Sequence, residues 1–112
     1  MNILITVQNP EIKSNVDPKF GRTPWFLKVN TDTKEWEAVA NSAVHHSGGA
    51  GVAAAQFAID QKVQAVISGD FGPNASSALR NASIKMIRFS PDVLTGEDAL
   101  NKFLEGALEE FA

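Results

Sequence analysis

Three short segments of the chain hold the residue types that could do chemistry. The first is Lys19-Phe20-Gly21-Arg22, in which two cations flank an aromatic residue and a glycine. The second is His45-His46-Ser47-Gly48-Gly49-Ala50-Gly51, and the third is Gly69-Asp70-Phe71-Gly72-Pro73-Asn74. Glycines let a backbone come close to a ligand, and the second and third segments both run into sequences that read as helices. The first turn of a helix presents N–H groups without intrahelical partners and a partial positive charge. Lys19 and Arg22 would add full charges and directed hydrogen bonds. This collection suits the noncovalent binding of an anion.

Each feature has a plainer explanation when taken alone. Glycines before a helix more often serve the turn than a ligand. Paired histidines in a loop are usually solvated, Asp70 can simply stabilise a turn, and Arg22 can pair with Asp17 or Glu11 in a surface contact worth little. Adjacent residues of an extended segment point to opposite sides, so one of His45 and His46 is expected at the ligand, not both. The case for a site therefore depends on whether the fold brings the three segments together.

The elements that position them can be read from pattern. Asn2–Val7 is a charge-free, β-branched run, as in a strand buried on both faces. Trp25–Asn30 and Glu35–Ala40 flank the turn chemistry of Thr31-Asp32-Thr33-Lys34 and read as a hairpin. Val52–Gln61 is an alanine-rich helix, and Gln64–Ser68 is another apolar strand. Pro73 suits the first position of a helix reaching about Asn81, and Ile84–Phe89 is a fifth strand. Leu100, Phe103, Leu104, Ala107, Leu108 and Phe111 keep the spacing of one helical stripe, which predicts a last helix packed on the sheet. Thr95 and Asp98 resemble a capping box at its start.

The order β-β-β-α-β-α-β-α predicts an α/β fold with a five-stranded mixed sheet of order 3-2-1-4-5, strand 2 antiparallel. Strands 1, 3 and 4 then point the same way, and the loops leaving them gather at the switch point between strands 1 and 4, where open α/β sheets bind ligands. Those loops, 8–24, 41–51 and 69–74, are the three segments with unusual chemistry. Their convergence outweighs the plainer explanations.

Composition bounds the rest. The chain has 112 residues, 44% hydrophobic and 21% charged, as in an ordinary globular protein, and residues 1–112 are expected to form a single domain. No apolar run approaches the roughly 20 residues of a membrane span, and the start carries no signal-peptide pattern, so no membrane partner and a cytoplasmic location are expected. The net charge of −3 and scattered Lys and Arg argue against nucleic acid as a partner. The chain has no cysteine, which excludes disulfides, thiolate zinc sites and cysteine-ligated iron–sulfur clusters. A metal would be held by His, carboxylate, backbone or outer contacts.

Phe20-Gly21-Arg22-Thr23-Pro24-Trp25-Phe26, the His–Gly-Gly-Ala-Gly segment at 45–51 and Gly72-Pro73-Asn74 resemble the dinitrogenase iron–molybdenum cofactor-binding family, in the same order and over the whole chain. That family takes in nitrogenase cofactor carriers and a molybdenum–copper branch of the orange-protein type. The resemblance implies a ribonuclease-H-like three-layer fold with helices on both faces, and a carrier rather than an enzyme. It implies noncovalent binding of a molybdenum-containing metal–sulfide cluster, Mo–Cu or Fe–Mo, with cluster-assembly or recipient proteins as partners. The expected contacts are Lys19, Phe20, Gly21, Arg22, His45, His46, Gly48, Gly49, Gly51, Asp70, Phe71, Gly72 and Asn74. His45 or His46 is the candidate metal ligand. The family commonly has histidine before Phe-Gly-Arg, where this chain has Lys19. A protonated lysine cannot ligate a metal but can pair with an anionic thiomolybdate, which favours a cluster gripped from outside by charge and hydrogen bonds. Copper prefers soft sulfur, and the cluster itself would supply it.

Two other functions fit parts of the pattern. A phosphate- or nucleotide-sensing module would use the same helix N-termini, although neither the Gly-x-Gly-x-x-Gly nor the Walker pattern is present. A ribonuclease-H-like nuclease would need several carboxylates around two metals, and the first strand has none. No Gly-x-Ser-x-Gly elbow supports serine hydrolysis. A monomer is the expected state.

Overall fold

Strand β1 (Asn2–Val7) carries the rest of the molecule, and Ile3 through Val7 are all fully buried, as its charge-free sequence requires. It pairs antiparallel with β2 (Trp25–Asn30), which pairs antiparallel with β3 (Trp36–Ala40). On its other side β1 pairs parallel with β4 (Ala65–Ser68), followed by β5 (Lys85–Arg88), again parallel. The computed structural model describes residues 1–45 and 48–111, so the predicted contact at His46 lies outside the described residues.

Side chains alternate across the sheet and build two apolar layers. Leu4, Phe26, Val66 and Met86 face α1 (Ala50–Asp60) and α2 (Pro73–Asn81). Ile3, Ile5, Val7, Leu27 and Ile67 face α3 (Gly96–Leu104). Ala54, Ala55 and Ala58 are the buried face of α1, and their small size lets that helix lie close to the sheet.

The sheet has six strands, in the order β3-β2-β1-β4-β5-β6, and not the five expected from the sequence. The extra strand, β6 (Glu109–Glu110), pairs antiparallel with β5 and comes from residues assigned above to the end of the last helix. The helix stops because Gly106 takes a left-handed φ of 70°. The Ala107 N–H then bonds to Lys102 O at 3.0 Å and the Gly106 N–H to Phe103 O at 3.0 Å, the two bonds of a Schellman motif. The apolar stripe therefore divides. Leu100, Phe103 and Leu108 join the α3 layer, whereas Phe111 crosses to the other face and packs on Phe71. Leu104 and Ala107 are exposed.

Among the described residues no helix is long and apolar enough to cross a membrane.

Candidate functional site

The three loops meet at the carboxyl ends of β1, β3 and β4, and each is tied to its neighbours by contacts that can be named. Under them, Thr6 Oγ1 lies 2.6 Å from Asp17 O and 2.9 Å from Ser68 Oγ, linking the end of β1 to the first loop and to β4. Thr6 and Ser68 are fully buried, so these hydroxyl bonds are needed to satisfy them. The first and third loops join where the Phe20 N–H bonds to Asp70 O at 3.2 Å, making Lys19 and Asp70 partners in a parallel bridge. Gly69 packs so tightly on Pro18 that an added Cβ would sit 2.8 Å from Pro18 Cα.

The first and second loops are braced by Asn41, a residue the motif search passed over. Its amide donates to Thr23 O at 2.8 Å and Gly21 O at 3.2 Å, and its oxygen accepts the Ala43 N–H at 3.0 Å. At 5% exposure it is a buried polar group whose amide N–H groups tie the two loops together and whose oxygen shapes its own turn. The available signal was its place directly after a strand, where asparagine often bonds to its own backbone two residues on. Arg22 Nη1 adds a bond to Val44 O at 2.9 Å.

These contacts frame a cavity of about 420 Å³. From the first loop it is lined by Lys19 and by the short 3₁₀ turn Phe20–Arg22 that follows it. From the second come Gly49 and the first turn of α1, including Gly51, and from the third Asp70, Gly72 and Asn74 at the start of α2. Ala50 and Pro73, inside the expected loops, and Val52 and Ala75, beyond them, also line the cavity; none was an expected contact, because their role is backbone position, which no side-chain motif marks. His45 and Gly48 are exposed outside the lining, and Phe71 lies beneath it, buried against Phe20 with ring centroids 5.4 Å apart.

The glycines have different reasons to be there. An added Cβ on Gly21 would sit 2.9 Å from Gly51 Cα, so the turn and helix α1 could not approach as they do. Gly49 holds a left-handed φ of 70°. Gly72 has an ordinary φ of −63°, and a Cβ there would meet nothing within 4 Å. Its missing side chain leaves room in the cavity wall.

Among the described residues neither α1 nor α2 has a side-chain cap at its N-terminus, and their first turns border the cavity. Lys19 and Arg22 supply positive charge beside them, and among the described lining residues Asp70 is the one carboxylate. Among the described residues no group of three or more His, Asp or Glu could hold a metal ion. The arrangement can hold an anion by hydrogen bonds and charge, and its described residues offer no ligand set for a bare metal.

Residues 1–106 match the family described as dinitrogenase iron-molybdenum cofactor. The chain belongs to this family. The apo form of the orange protein from Desulfovibrio gigas is similar in structure, with a TM-score of 0.92 and 34% identity, covering 99% of this chain and 92% of that one. A NifB-like protein of Thermotoga superposes with a TM-score of 0.84 at 28% identity, covering 97% of this chain and 91% of that one. An uncharacterized protein of Methanocaldococcus jannaschii is 28% identical over 111 residues, 96% of this chain and 92% of the relative. Membership points to cofactor binding or carriage, and the cavity has the charge for it.

Proposed function

We propose that this protein binds or carries, without covalent attachment, an anionic molybdenum-containing metal–sulfide cluster of Mo–Cu or Fe–Mo type. The pocket is the one formed by loops 8–24, 41–51 and 69–74. The observation that carries the reading is the cavity of about 420 Å³ walled by two uncapped helix N-termini, Lys19 and Arg22, in a chain with no cysteine. Such a wall suits a preformed cluster that brings its own sulfur. Lys19, Arg22 and the first-turn N–H groups of α1 and α2 would face the cluster's sulfides, and Asn74 could add an amide donor. The similarity to a protein solved in an apo form, a term that implies a ligand to lose, supports the same reading. The cluster is cargo here, and no catalysis is assigned to the protein.

Anaerobic mixing with tetrathiomolybdate and a copper(I) or iron(II) salt should give a visible absorption band that travels with the protein on a desalting column. Colour confined to the small-molecule fraction would sink the proposal. Arg22→Ala should weaken retention about tenfold, the scale of one charge-assisted hydrogen bond.

The second reading is a phosphate or nucleotide module, favoured by the same helix N-termini. Melting temperature measured with nucleotides and with thiomolybdate separates the two, because only a bound ligand raises it. A two-metal nuclease finds no support, since β1 carries no acid and Asp70 is the single carboxylate among the described residues of the cavity wall.

A further inference from the structure

Asp70 opposes the rest of the wall it belongs to. Its backbone is fixed: its carbonyl accepts the Phe20 N–H, Gly69 before it packs on Pro18, and Phe71 after it is buried. Its side chain is exposed and makes no hydrogen bond or ion pair among the described residues, although Lys19 is its partner in the bridge between the loops. Nor does it cap α2, whose N-terminus carries no side-chain cap. The fold thus holds a carboxylate at the edge of an anion-attracting cavity and uses it for nothing internal.

We propose that Asp70 is a specificity-determining residue. It turns the cavity against bare dianions and toward anions that present a proton or a bound metal cation to the loop after β4. The proposal rests on reading the cavity as an anion site and adds which anions it takes.

Helix N-termini and cations attract every anion, so by themselves they do not distinguish sulfate from a metal–sulfide cluster. A carboxylate does, because it accepts hydrogen bonds and donates none. Sulfate has no proton to offer at neutral pH and meets only charge repulsion at Asp70. Hydrogen phosphate carries a proton that the carboxylate can accept. Bare tetrathiomolybdate behaves as sulfate does, whereas the same anion capped by copper or iron can turn a cationic edge toward Asp70. The common inorganic dianions of any cell are thereby disfavoured in a site that would otherwise hold them.

The test compares wild type with Asp70→Asn, a near-isosteric change at an exposed residue that leaves the fold intact. Affinities are measured by calorimetry for sodium sulfate, sodium phosphate, ammonium tetrathiomolybdate, and tetrathiomolybdate premixed with copper(I). The variant should bind sulfate and bare tetrathiomolybdate at least about fivefold tighter, since a pair of unit charges at ~4 Å in water is worth about that factor and these anions carry two. Its preference for phosphate over sulfate should shrink, and the copper-loaded anion should gain nothing. An equal change for all four probes, or no change for sulfate, overturns the proposal. If wild type retains neither molybdenum probe, the carrier reading fails while the sulfate and phosphate arms still decide the role of Asp70. If both molybdenum probes bind and the variant shifts all four anions alike, only the selectivity is lost.

Discussion

At the N-terminus of α3 the Thr95 side chain accepts the Asp98 N–H at 3.1 Å, and the Asp98 carboxylate accepts the N–H groups of Leu94 and Thr95 at 3.1 and 3.2 Å. The ends of α1 and α2 begin instead at Gly49 and Gly72, which have no side chain to offer. The space around the glycines differs in the same sense. A Cβ on Gly96, in the first turn of α3, would sit 2.9 Å from Ile12 O, whereas one on Gly72 would meet nothing within 4 Å. The chain closes and satisfies one helix end by itself and leaves two others open at a common cavity. Stability alone would favour caps at all three. The two open ends are where an outside partner would find N–H groups that the described side chains do not cap.

The largest effect that could break this contrast comes from adding one carbon at each glycine. Gly96→Ala should cost about 1–3 kcal/mol by overpacking, while Gly72→Ala should change stability by less than about 0.5 kcal/mol and weaken anion retention. Urea midpoints at constant slope measure the first, and column retention of the thiomolybdate complex measures the second. Equal losses of stability would show that the two ends are equally closed.

A smaller effect sharpens the electrostatic side. Thr95→Ala should cost about 1 kcal/mol through the lost cap. Gly72→Ser, which supplies a hydroxyl where α2 lacks one, should add a few tenths of a kcal/mol and compete with the ligand for the same N–H groups. A Gly72→Ser protein that binds anions as wild type does would remove those groups from the site.

The smallest effect concerns the far side of α3, which is also held by the chain's own charges. Lys102 Nζ lies 3.1 Å from the Asp92 carboxylate. Hydrogen bonds from Ser90 and then Lys102 hold Asp92 below its ordinary carboxylate value, and Asp92 raises Lys102. With the folded value of Asp92 depressed, its contribution is present above the unfolded carboxylate value and is lost as pH falls through the folded one. The Lys102 contribution is present below the ordinary lysine value and is lost as pH rises through its raised one. Melting curves of wild type and Asp92→Asn should therefore agree at acid pH and separate slightly toward neutrality. A gap that persists at low pH would mean that Asp92 acts by something other than charge.

The order of the first five strands was legible because their apolar runs and turn residues agree with one another from Asn2 to Phe89. The capping box of α3 was legible for the same reason, since Thr95 and Asp98 act within one turn. The sixth strand was not, because an apolar stripe can continue past the residue that ends its helix, here Gly106 with its left-handed φ. Proximity of the three loops followed from topology, but the lining did not follow from residue type. His45 has the chemistry and stands outside the cavity, whereas Ala50 and Ala75 have no chemistry and line it. Asn41 was missed because its function is to reach back across 20 residues to Gly21, a contact that only the folded hairpin creates.

One feature of the core bears on how cargo would come and go. Phe57, Phe26, Phe20, Phe71 and Phe111 form a continuous row of rings with centroids 5.2–5.8 Å apart, ending under the Arg88 guanidinium at 4.9 Å. Mechanically the row is a strut. Phe20 anchors the first loop to it and Phe71 the third, so neither loop can swing out without opening a void the size of a phenyl ring. Among the described residues the second loop adds no phenylalanine to this row. Its ties to the first include the Asn41 and Arg22 hydrogen bonds, which can be exchanged for water at far less cost than a buried ring can be withdrawn. The first and third loops are therefore set by ring packing, and the described ties of the second loop to the first are hydrogen bonds.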